Sequence, residues 1–246
     1  MTTPRPVALV TGAARRIGAA IATALHAAGY DLALHFHRSA SEASALQDAL
    51  EARRRHSTAL LQADLSDTAR LPSLVERTVV RFGRLDALVN NASAFFPTPI
   101  GESTEAMWDA LMGANAKAPF FLSQAAAFYL RESRGAILNL SDVYAERPRE
   151  RHAVYCMSKA ALSMMTLALA RELAPEVRVN AIAPGAILWP EAGDDPELRA
   201  SVIARTALGR TGTAAEIAEA AVFLVDAASY TTGQVLRVDG GRWLEI

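Results

Sequence analysis

The chain has 246 residues and a formal net charge of −1, which suits one α/β domain and excludes the global basic footprint of nucleic-acid-binding proteins. Its single cysteine, Cys156, excludes an intramolecular disulfide and fits a reducing cytosol, so a cytoplasmic protein is expected. The N-terminal segment shows no long apolar run before a cleavage site, and no stretch approaches ~20 uninterrupted apolar residues. Neither a signal peptide nor a membrane span is therefore expected.

The first half of the chain alternates short apolar runs with amphipathic stretches. The apolar runs predict strands at 7–10, 31–35, 58–62 and 85–90. Helical spacing between them predicts helices over 17–28, 41–55 and 67–82. The cluster Arg53-Arg54-Arg55 is expected to be the solvated end of the second helix.

The second half repeats this alternation, with helices predicted near 105–131, 152–173 and 214–227 and strands at 136–140, 178–182 and 234–238. Strands separated by helices of this length imply right-handed βαβ crossovers. We therefore predict an α/β fold in a single domain over 1–246, with a doubly wound parallel sheet of about seven strands and helices on both faces. The acidic, proline-bearing segment 189–200 is expected to be a mobile loop or lid within a substrate loop near 186–206.

The loops after Val10, Asn90, Leu140 and Ile182 are expected to converge, because sites on such sheets lie at the carboxyl ends of the strands. The first of these loops carries small residues that let backbone amides approach a phosphate, at the N-terminus of a helix. A tight connection needs the same residues, but the flanking strand and helix favour a dinucleotide site. The contacts expected from this loop are Gly12, Arg15, Arg16, Ile17 and Gly18.

The end of the second strand bears on which nicotinamide cofactor binds. An NAD site places an acid there for the ribose 2′-hydroxyl, whereas the first acid here is Glu42. Arg38 and Ser39, beside His37 and helped by Arg15, suit a 2′-phosphate instead. We therefore predict NADPH (NADP) rather than NADH, against the alternative that Arg38 is an ordinary surface charge. Further cofactor contacts are expected from Asp64, Leu65, Asn91, Ala92 and Ser93.

Tyr155 and Lys159 stand at i and i+4, and so on one face of a predicted helix. A neighbouring ammonium favours the phenolate and is expected to make Tyr155 a better proton donor near neutral pH. Hydride transfer to a C=O or C=N carbon leaves electron density on the heteroatom, which a positioned acid must protonate. The spacing alone occurs by chance in many helices, and its weight comes from the cofactor loop upstream.

Together these motifs resemble the short-chain dehydrogenases/reductases over nearly the whole chain. The matching motifs, in that family's order, are Thr11-Gly12 to Gly18, Asn90-Asn91-Ala92, Asn115, Tyr155 with Lys159, and Pro184-Gly185. The resemblance implies a Rossmann-type fold, Tyr155 as the acid, Lys159 orienting the nicotinamide ribose and Asn115 holding a proton-relay water. It also implies cofactor contacts from Pro184, Gly185 and Ile187, and a homotetramer with segment 239–244 near a subunit interface.

Three departures from the usual pattern resemble the pteridine reductases and bacterial dihydromonapterin reductases. Asp142 stands 13 residues before Tyr155, where the family usually has serine, with Ser141 beside it. Arg16 replaces the middle glycine of the first loop. Ser93 replaces the glycine after Asn-Asn-Ala and is followed shortly by Phe95.

These departures suit a pterin, which is flat, aromatic and rich in ring nitrogens. It can stack between nicotinamide and Phe95, and Arg16 can reach both a cofactor phosphate and its polar edge. An Asp–Tyr pair can deliver a proton to a ring nitrogen. The resemblance further implies that 184–189 closes over the substrate. The expected substrate contacts are Arg16, Ser93, Phe95, Asp142, Tyr155 and Trp189.

The leading hypothesis is NADPH-dependent reduction of a dihydropterin to its tetrahydro form, for example dihydrobiopterin or dihydromonapterin, with dihydrofolate as a further candidate substrate. The alternatives are a carbonyl reductase of the same family and a non-catalytic NADPH-binding regulator. No metal site is expected. Alternatives also stay open for single residues: Asp142 as a structural cap, Phe95 or Phe96 as core, His152 as a loop histidine and Trp189 as lid packing.

Overall fold

The computed structural model describes residues 5–189 and 195–245. Within them, seven strands form one sheet: β1 (Val7–Val10), β2 (Asp31–Phe36), β3 (Thr58–Gln62), β4 (Ala87–Asn90), β5 (Ala136–Leu140), β6 (Arg178–Pro184) and β7 (Val235–Val238). The same residues form eight α-helices: α1 (Arg16–Ala27), α2 (Ala40–Glu51), α3 (Leu71–Phe82), α4 (Glu105–Met112), α5 (Ala118–Ser133), α6 (Ala153–Glu172), α7 (Pro196–Ala204) and α8 (Ala214–Val222).

The strand order is β3-β2-β1-β4-β5-β6-β7, and every neighbouring pair is parallel. The order reverses direction between β1 and β4, which is the point where doubly wound sheets open a crevice at the carboxyl ends of their strands. The predicted fold class is confirmed.

Side chains of each strand alternate between two apolar layers because successive residues of a strand point to opposite faces. In β1, Ala8 and Val10 pack in the layer under α1 and α8, whereas Leu9 packs in the layer under α3 and α5. A third, smaller cluster contains Leu111, Val154, Tyr155 and Cys156. Cys156 is buried and unpaired, as expected for a small packing residue.

Several predicted segments differ from the structure. The second helix ends at Glu51 rather than at 55, the third begins at Leu71 rather than at 67, and the last one changes to a π-helical segment at Phe223. The helix predicted near 105–131 is divided into α4 and α5 by a π-helical segment, Gly113–Lys117. The segment 189–200, predicted as a loop or lid, instead contains the start of α7, and its residues 190–194 lie outside those described. The start signals of α7 were present in the sequence: Asp195 caps the helix by accepting from Glu197 and Leu198 N–H, and Pro196 occupies its first turn.

Helix α6 is long and apolar enough to cross a membrane by length and composition alone. Half of its apolar window is nevertheless buried inside the protein, as in the core helix of a globular domain. It also carries Tyr155 and Lys159, so its packing positions the candidate site described next.

Candidate active site

The loops after β1, β4, β5 and β6 converge as predicted, and two cavities lie along them. The first, of about 490 Å³, runs from the loop after β1 past the end of β2. The second, of about 200 Å³, reaches Asp142, Tyr155 and Lys159. They share the lining residues Arg16, Ile17, Asn91 and Ser93, so one extended ligand can occupy both.

The loop after β1 is built for close approach of its backbone. Gly12 has a φ of +61°, which glycine adopts at no steric cost. A Cβ on Gly18 would collide with the Gly12 carbonyl oxygen and come within 2.5 Å of Asn91 Nδ2. Arg16 has a φ of +55°, a left-handed conformation that glycine adopts more readily than arginine.

His35 anchors this loop, and the sequence analysis missed it. It is 2% exposed, and its Nδ1 accepts a hydrogen bond from Gly12 N–H at 3.2 Å. Its Nε2 lies 3.2 Å from the Ala63 carbonyl oxygen, so the ring proton sits on Nε2. Burial lowers the pKa of His35 to about 4. Only its position at the end of β2, two residues before His37, hinted at this role.

The predicted 2′-phosphate residues line the first cavity. His37, Arg38 and Ser39 are all present there, with Arg38 exposed to solvent. Arg15 lines it as well and forms an ion pair of 3.6 Å with Glu42, the acid noted in this stretch. A basic rim at the end of β2 is thus available to an anion.

Asp64 and Leu65, predicted as cofactor contacts, are not among the residues that line this cavity. Asp64 Oδ1 accepts from Ser66 N–H at 2.9 Å, which lowers the pKa of Asp64, and Asp64 Oδ2 lies 3.6 Å from His37 Nε2. The side chain of Leu65 is buried in the core layer under α3. Leu65 is therefore a packing residue in this structure.

Asp142 and Tyr155 are directly joined. Tyr155 Oη donates a 2.6 Å hydrogen bond to Asp142 Oδ2, while Asp142 Oδ1 accepts from Tyr144 N–H at 2.9 Å. Asp142 is thus both a cap of the turn Val143–Ala145 and a partner of the tyrosine. Ser141 points elsewhere: its hydroxyl lies 2.6 Å from Ser163 Oγ.

Lys159 lies one helical turn after Tyr155, as predicted, and is buried. Its Nζ donates to the Leu140 carbonyl oxygen at 2.7 Å and lies 5.8 Å from the centre of the Tyr155 ring. Burial lowers the pKa of Lys159 to about 8, although the Asp142 charge opposes this shift.

The prediction that Lys159 favours the phenolate is wrong for this arrangement. Burial, followed by the neighbouring Asp142 charge, raises the pKa of Tyr155 well above its usual range. Burial also raises the pKa of Asp142, against its bonds from Tyr144 and Tyr155. Both acids are therefore held towards their protonated forms.

The side-chain amide of Asn115 is bonded to protein groups, and its role in holding a proton-relay water stays a prediction. It lies in the π-helical segment, and its Oδ1 accepts from Ser93 Oγ at 2.9 Å and Ala94 N–H at 2.8 Å. Its Nδ2 donates to the Ala94 carbonyl and to Ser158 Oγ, both at 2.9 Å. These four bonds use the whole capacity of the amide, so Asn115 ties the loop after β4 to α6.

Phe95 lies beside Tyr155 without lining either cavity, whereas Phe96 packs against the small core cluster. The Phe95 ring is 51% exposed and meets the Tyr155 ring edge-to-face at a centroid distance of 4.7 Å. The His152 ring stacks on the Phe95 ring at a centroid distance of 4.8 Å, and its Nδ1 lies 2.8 Å from the Glu150 carbonyl oxygen. A half-exposed aromatic ring beside Tyr155 suits a flat aromatic ligand.

The segment after β6 lies across the cofactor loop. Pro184, Gly185 and Ile187 line the second cavity, as predicted. Arg16 donates to the carbonyls of Leu188 and Trp189 at 3.3 and 3.2 Å. The Trp189 ring packs under the Arg199 guanidinium, 5.0 Å away, so its observed contact is with α7.

Across residues 5–189 and 195–245, no group of three or more His, Cys, Asp or Glu side chains could hold a metal ion. A dinucleotide, by contrast, fits the residues present. The loop that Gly12 and Gly18 keep clear of side chains opens on the first cavity, and the second cavity leads from it to Tyr155.

Comparisons with known proteins agree with this geometry. The family model described as enoyl-(acyl carrier protein) reductase matches residues 12–242. Pteridine reductase 1 of Leishmania tarentolae is 38% identical over 96% of both chains. The 3-oxoacyl-(acyl-carrier-protein) reductase FabG of Staphylococcus aureus is 36% identical over 96% of this chain and 98% of its own. The chain is therefore an oxidoreductase with a nicotinamide cofactor, and it belongs to the short-chain dehydrogenase/reductase family.

Proposed function

We propose that the protein reduces a C=N bond of a dihydropterin to give the tetrahydropterin, with NADPH as its cofactor. The observation that carries this proposal is the 2.6 Å hydrogen bond between Tyr155 Oη and the Asp142 carboxyl, at the position where the family usually has serine. The similarity to a pteridine reductase supports it.

The proton chemistry follows from this pair. Tyr155 donates its phenolic proton to the substrate ring nitrogen, and the Asp142 carboxyl, which burial holds towards its protonated form, replaces that proton. A serine hydroxyl titrates far above neutral pH and cannot serve as such a reservoir. Phe95 stacks against the pterin ring, and Arg16 and Ser93 meet its polar edge.

The residues that line the first cavity support binding of the dinucleotide. When bound, NADPH supplies the hydride. Arg38 and Ser39, with Arg15 nearby, bind the 2′-phosphate, while Lys159 orients the nicotinamide ribose from α6. Arg38→Gln should raise the KM for NADPH by about 10- to 100-fold and leave that for NADH within about threefold. Equal changes for both cofactors would contradict the preference.

The direct test is oxidation of NADPH with dihydrobiopterin, dihydromonapterin and dihydrofolate, against a panel of ketones and a 3-oxoacyl thioester. Brisk pterin turnover supports the proposal. Ketone turnover without pterin turnover rejects it, and tight NADPH binding without any turnover indicates a non-catalytic regulator.

Asp142→Ser restores the usual family residue and tests the carrying observation. We expect pterin reduction to fall by about 10²-fold or more, as for loss of a general acid, while NADPH binding is retained. Ser163→Ala, which removes the α6 hydroxyl that contacts the neighbouring Ser141, is the control. If the pterin kinetics of Asp142→Ser are unchanged, Asp142 serves only as the cap of the turn Val143–Ala145.

The second candidate function is reduction of a keto group, and the similarity to FabG favours it. In that reaction Tyr155 protonates a carbonyl oxygen, and Asp142 is dispensable. Asp142→Ser therefore separates the two functions: it should impair a pterin reductase and leave or improve a carbonyl reductase.

We propose that the chain assembles as a homotetramer. Helices α5 and α6 expose apolar side chains to solvent, including Phe128 at 66% and Met164 at 62%. Burying such residues against another copy removes apolar surface from water. Light scattering should give four times the 26.3 kDa mass of one chain, and Phe128→Glu with Met164→Glu should lower it. A monomeric wild-type protein would refute the assembly.

A further inference from the structure

Arg149 lies near Phe95 and Tyr144, beside the site, and the chemistry above has no use for it. It lies in the loop between β5 and α6, half-buried, with its guanidinium carbon 5.7 Å from the centre of the Phe95 ring. The Phe95 ring also contacts the Tyr155 ring, so Phe95 lies between the Arg149 guanidinium and Tyr155. It is therefore placed beside a ligand that stacks on Phe95, away from the reacting atoms.

The position of Arg149 is fixed by neutral groups. Its Nη1 donates to Tyr144 Oη at 3.2 Å, its guanidinium lies 5.5 Å from the centre of the Tyr144 ring, and its backbone N–H meets Cys156 Sγ at 3.4 Å. One hydrogen bond leaves the other donors of the five-donor fork for a ligand. The side chain is thus held in place without being neutralised.

No acid in residues 5–189 or 195–245 forms an ion pair with Arg149. Glu146, three residues before it, pairs with Arg237 across to β7. Glu150, next to it in sequence, is exposed and joins no cation in the part of the chain that the structure describes. The Arg149 charge acts on Asp142 by lowering its pKa, but both carboxyl oxygens of Asp142 accept hydrogen bonds from Tyr144 and Tyr155 instead.

A half-buried guanidinium that has no acid partner is available to an anionic ligand. Its planar fork matches the two oxygens of a carboxylate or phosphate. A second arginine, Arg242, is buried behind it and donates to the same Tyr144 hydroxyl at 3.4 Å, which reinforces the positive potential there.

We propose that Arg149 binds an anionic group on the side chain of the pterin substrate, so that substrates with a carboxylate or phosphate tail are preferred over neutral dihydropterins. This inference rests on the proposed function and adds the substrate class. Arg149 contacts the substrate away from the C=N bond, so it acts on substrate binding and leaves the chemical step unchanged.

The test compares three substrates at saturating NADPH: neutral dihydrobiopterin, dihydrofolate with its carboxylates, and dihydroneopterin triphosphate. Arg149→Gln should lower kcat/KM for the preferred anionic substrate by about 10- to 100-fold through KM, and change dihydrobiopterin by less than about threefold. The anionic substrate with the larger loss of kcat/KM shows whether the site prefers a carboxylate or a phosphate. Added salt should weaken binding of that substrate to the wild type only.

Arg151→Gln is the matched control, since it removes the same charge from an exposed residue of the same loop. It should leave all three substrates unchanged. Arg149→Gln lowering all three equally, or none, would overturn the anionic subsite while leaving pterin reduction intact. No turnover of any dihydropterin by the wild type overturns the proposed function, and this inference with it.

Discussion

Replacing His35 with asparagine tests whether a buried neutral histidine holds the cofactor loop. In the wild type its Nδ1 accepts from Gly12 N–H and its Nε2 donates to the Ala63 carbonyl. Asparagine keeps an acceptor near Gly12, cannot reach Ala63 and does not titrate. The variant therefore removes one hydrogen bond and one titratable group from a site that is 2% exposed.

The size and sign of the effect follow from the pKa of His35. Burial lowers it from 6.5 in the unfolded chain to about 4, so between these values the unfolded state binds more protons. The contribution of neutral His35 to the free energy of unfolding is complete well above pH 6.5 and falls as the pH is lowered towards 4. At pH 5 the wild type has lost about 2 kcal/mol of this contribution. At pH 7.5 the variant should be about 1–3 kcal/mol less stable, because the Ala63 carbonyl loses its donor.

Urea unfolding at pH 7.5, 6 and 5, followed by tryptophan fluorescence, measures both effects. The gap in free energy of unfolding between wild type and His35→Asn should narrow steadily as the pH falls. His56→Asn, which changes an exposed histidine, should run parallel to the wild type. If His35→Asn also runs parallel, His35 does not titrate as a buried neutral ring.

Three further variants test the site. Tyr155→Phe should lower kcat by about 10²- to 10⁴-fold while the Kd for NADPH, from fluorescence titration, stays within about twofold. Gly18→Ala should weaken NADPH binding by about tenfold or more, since its Cβ would collide with the Gly12 carbonyl, whereas Gly113→Ala, where a Cβ meets nothing within 4 Å, should not. Lys159→Met should abolish turnover yet raise stability at pH 7 by about 1–3 kcal/mol. Burial lowers the pKa of Lys159 from 10.5 to about 8, so the wild type should regain stability relative to this variant between those pH values.

The strands were predictable because buried parallel strands are continuous apolar runs, and β1, β3 and β5 begin and end where the sequence placed them. Residues of the site that lie on strand ends and at helical spacing, such as Tyr155 and Lys159, follow from that framework. The division between α4 and α5 did not, since a π-helical segment preserves the helical pattern of apolar residues.

Side-chain contacts between segments that are distant in the sequence could not be predicted either. His35 meets Gly12 across 23 residues, and Asn115 reaches Ser158 across 43, through side chains whose types are ordinary in their own neighbourhoods. The sequence indicated a functional role for Asn115 but did not predict these side-chain contacts. Only the packing of α6 against the loop after β4 shows that its amide is fully used by protein groups.

Burial is the largest cause of the pKa shift of Asp142, of Tyr155 and of Lys159, and in each case it favours the neutral form. Asp142 and Tyr155 are joined by one hydrogen bond, and burial raises the pKa of both groups. Reduction of a C=N bond consumes one proton at nitrogen, so the pair can give that proton from Tyr155 and restore it from Asp142 before bulk water enters. A serine hydroxyl in place of Asp142 would be too weak an acid to return a proton to the Tyr155 phenolate. The aspartate therefore turns a single donor into a relay, which is the physical reason for expecting this site to act on a ring nitrogen.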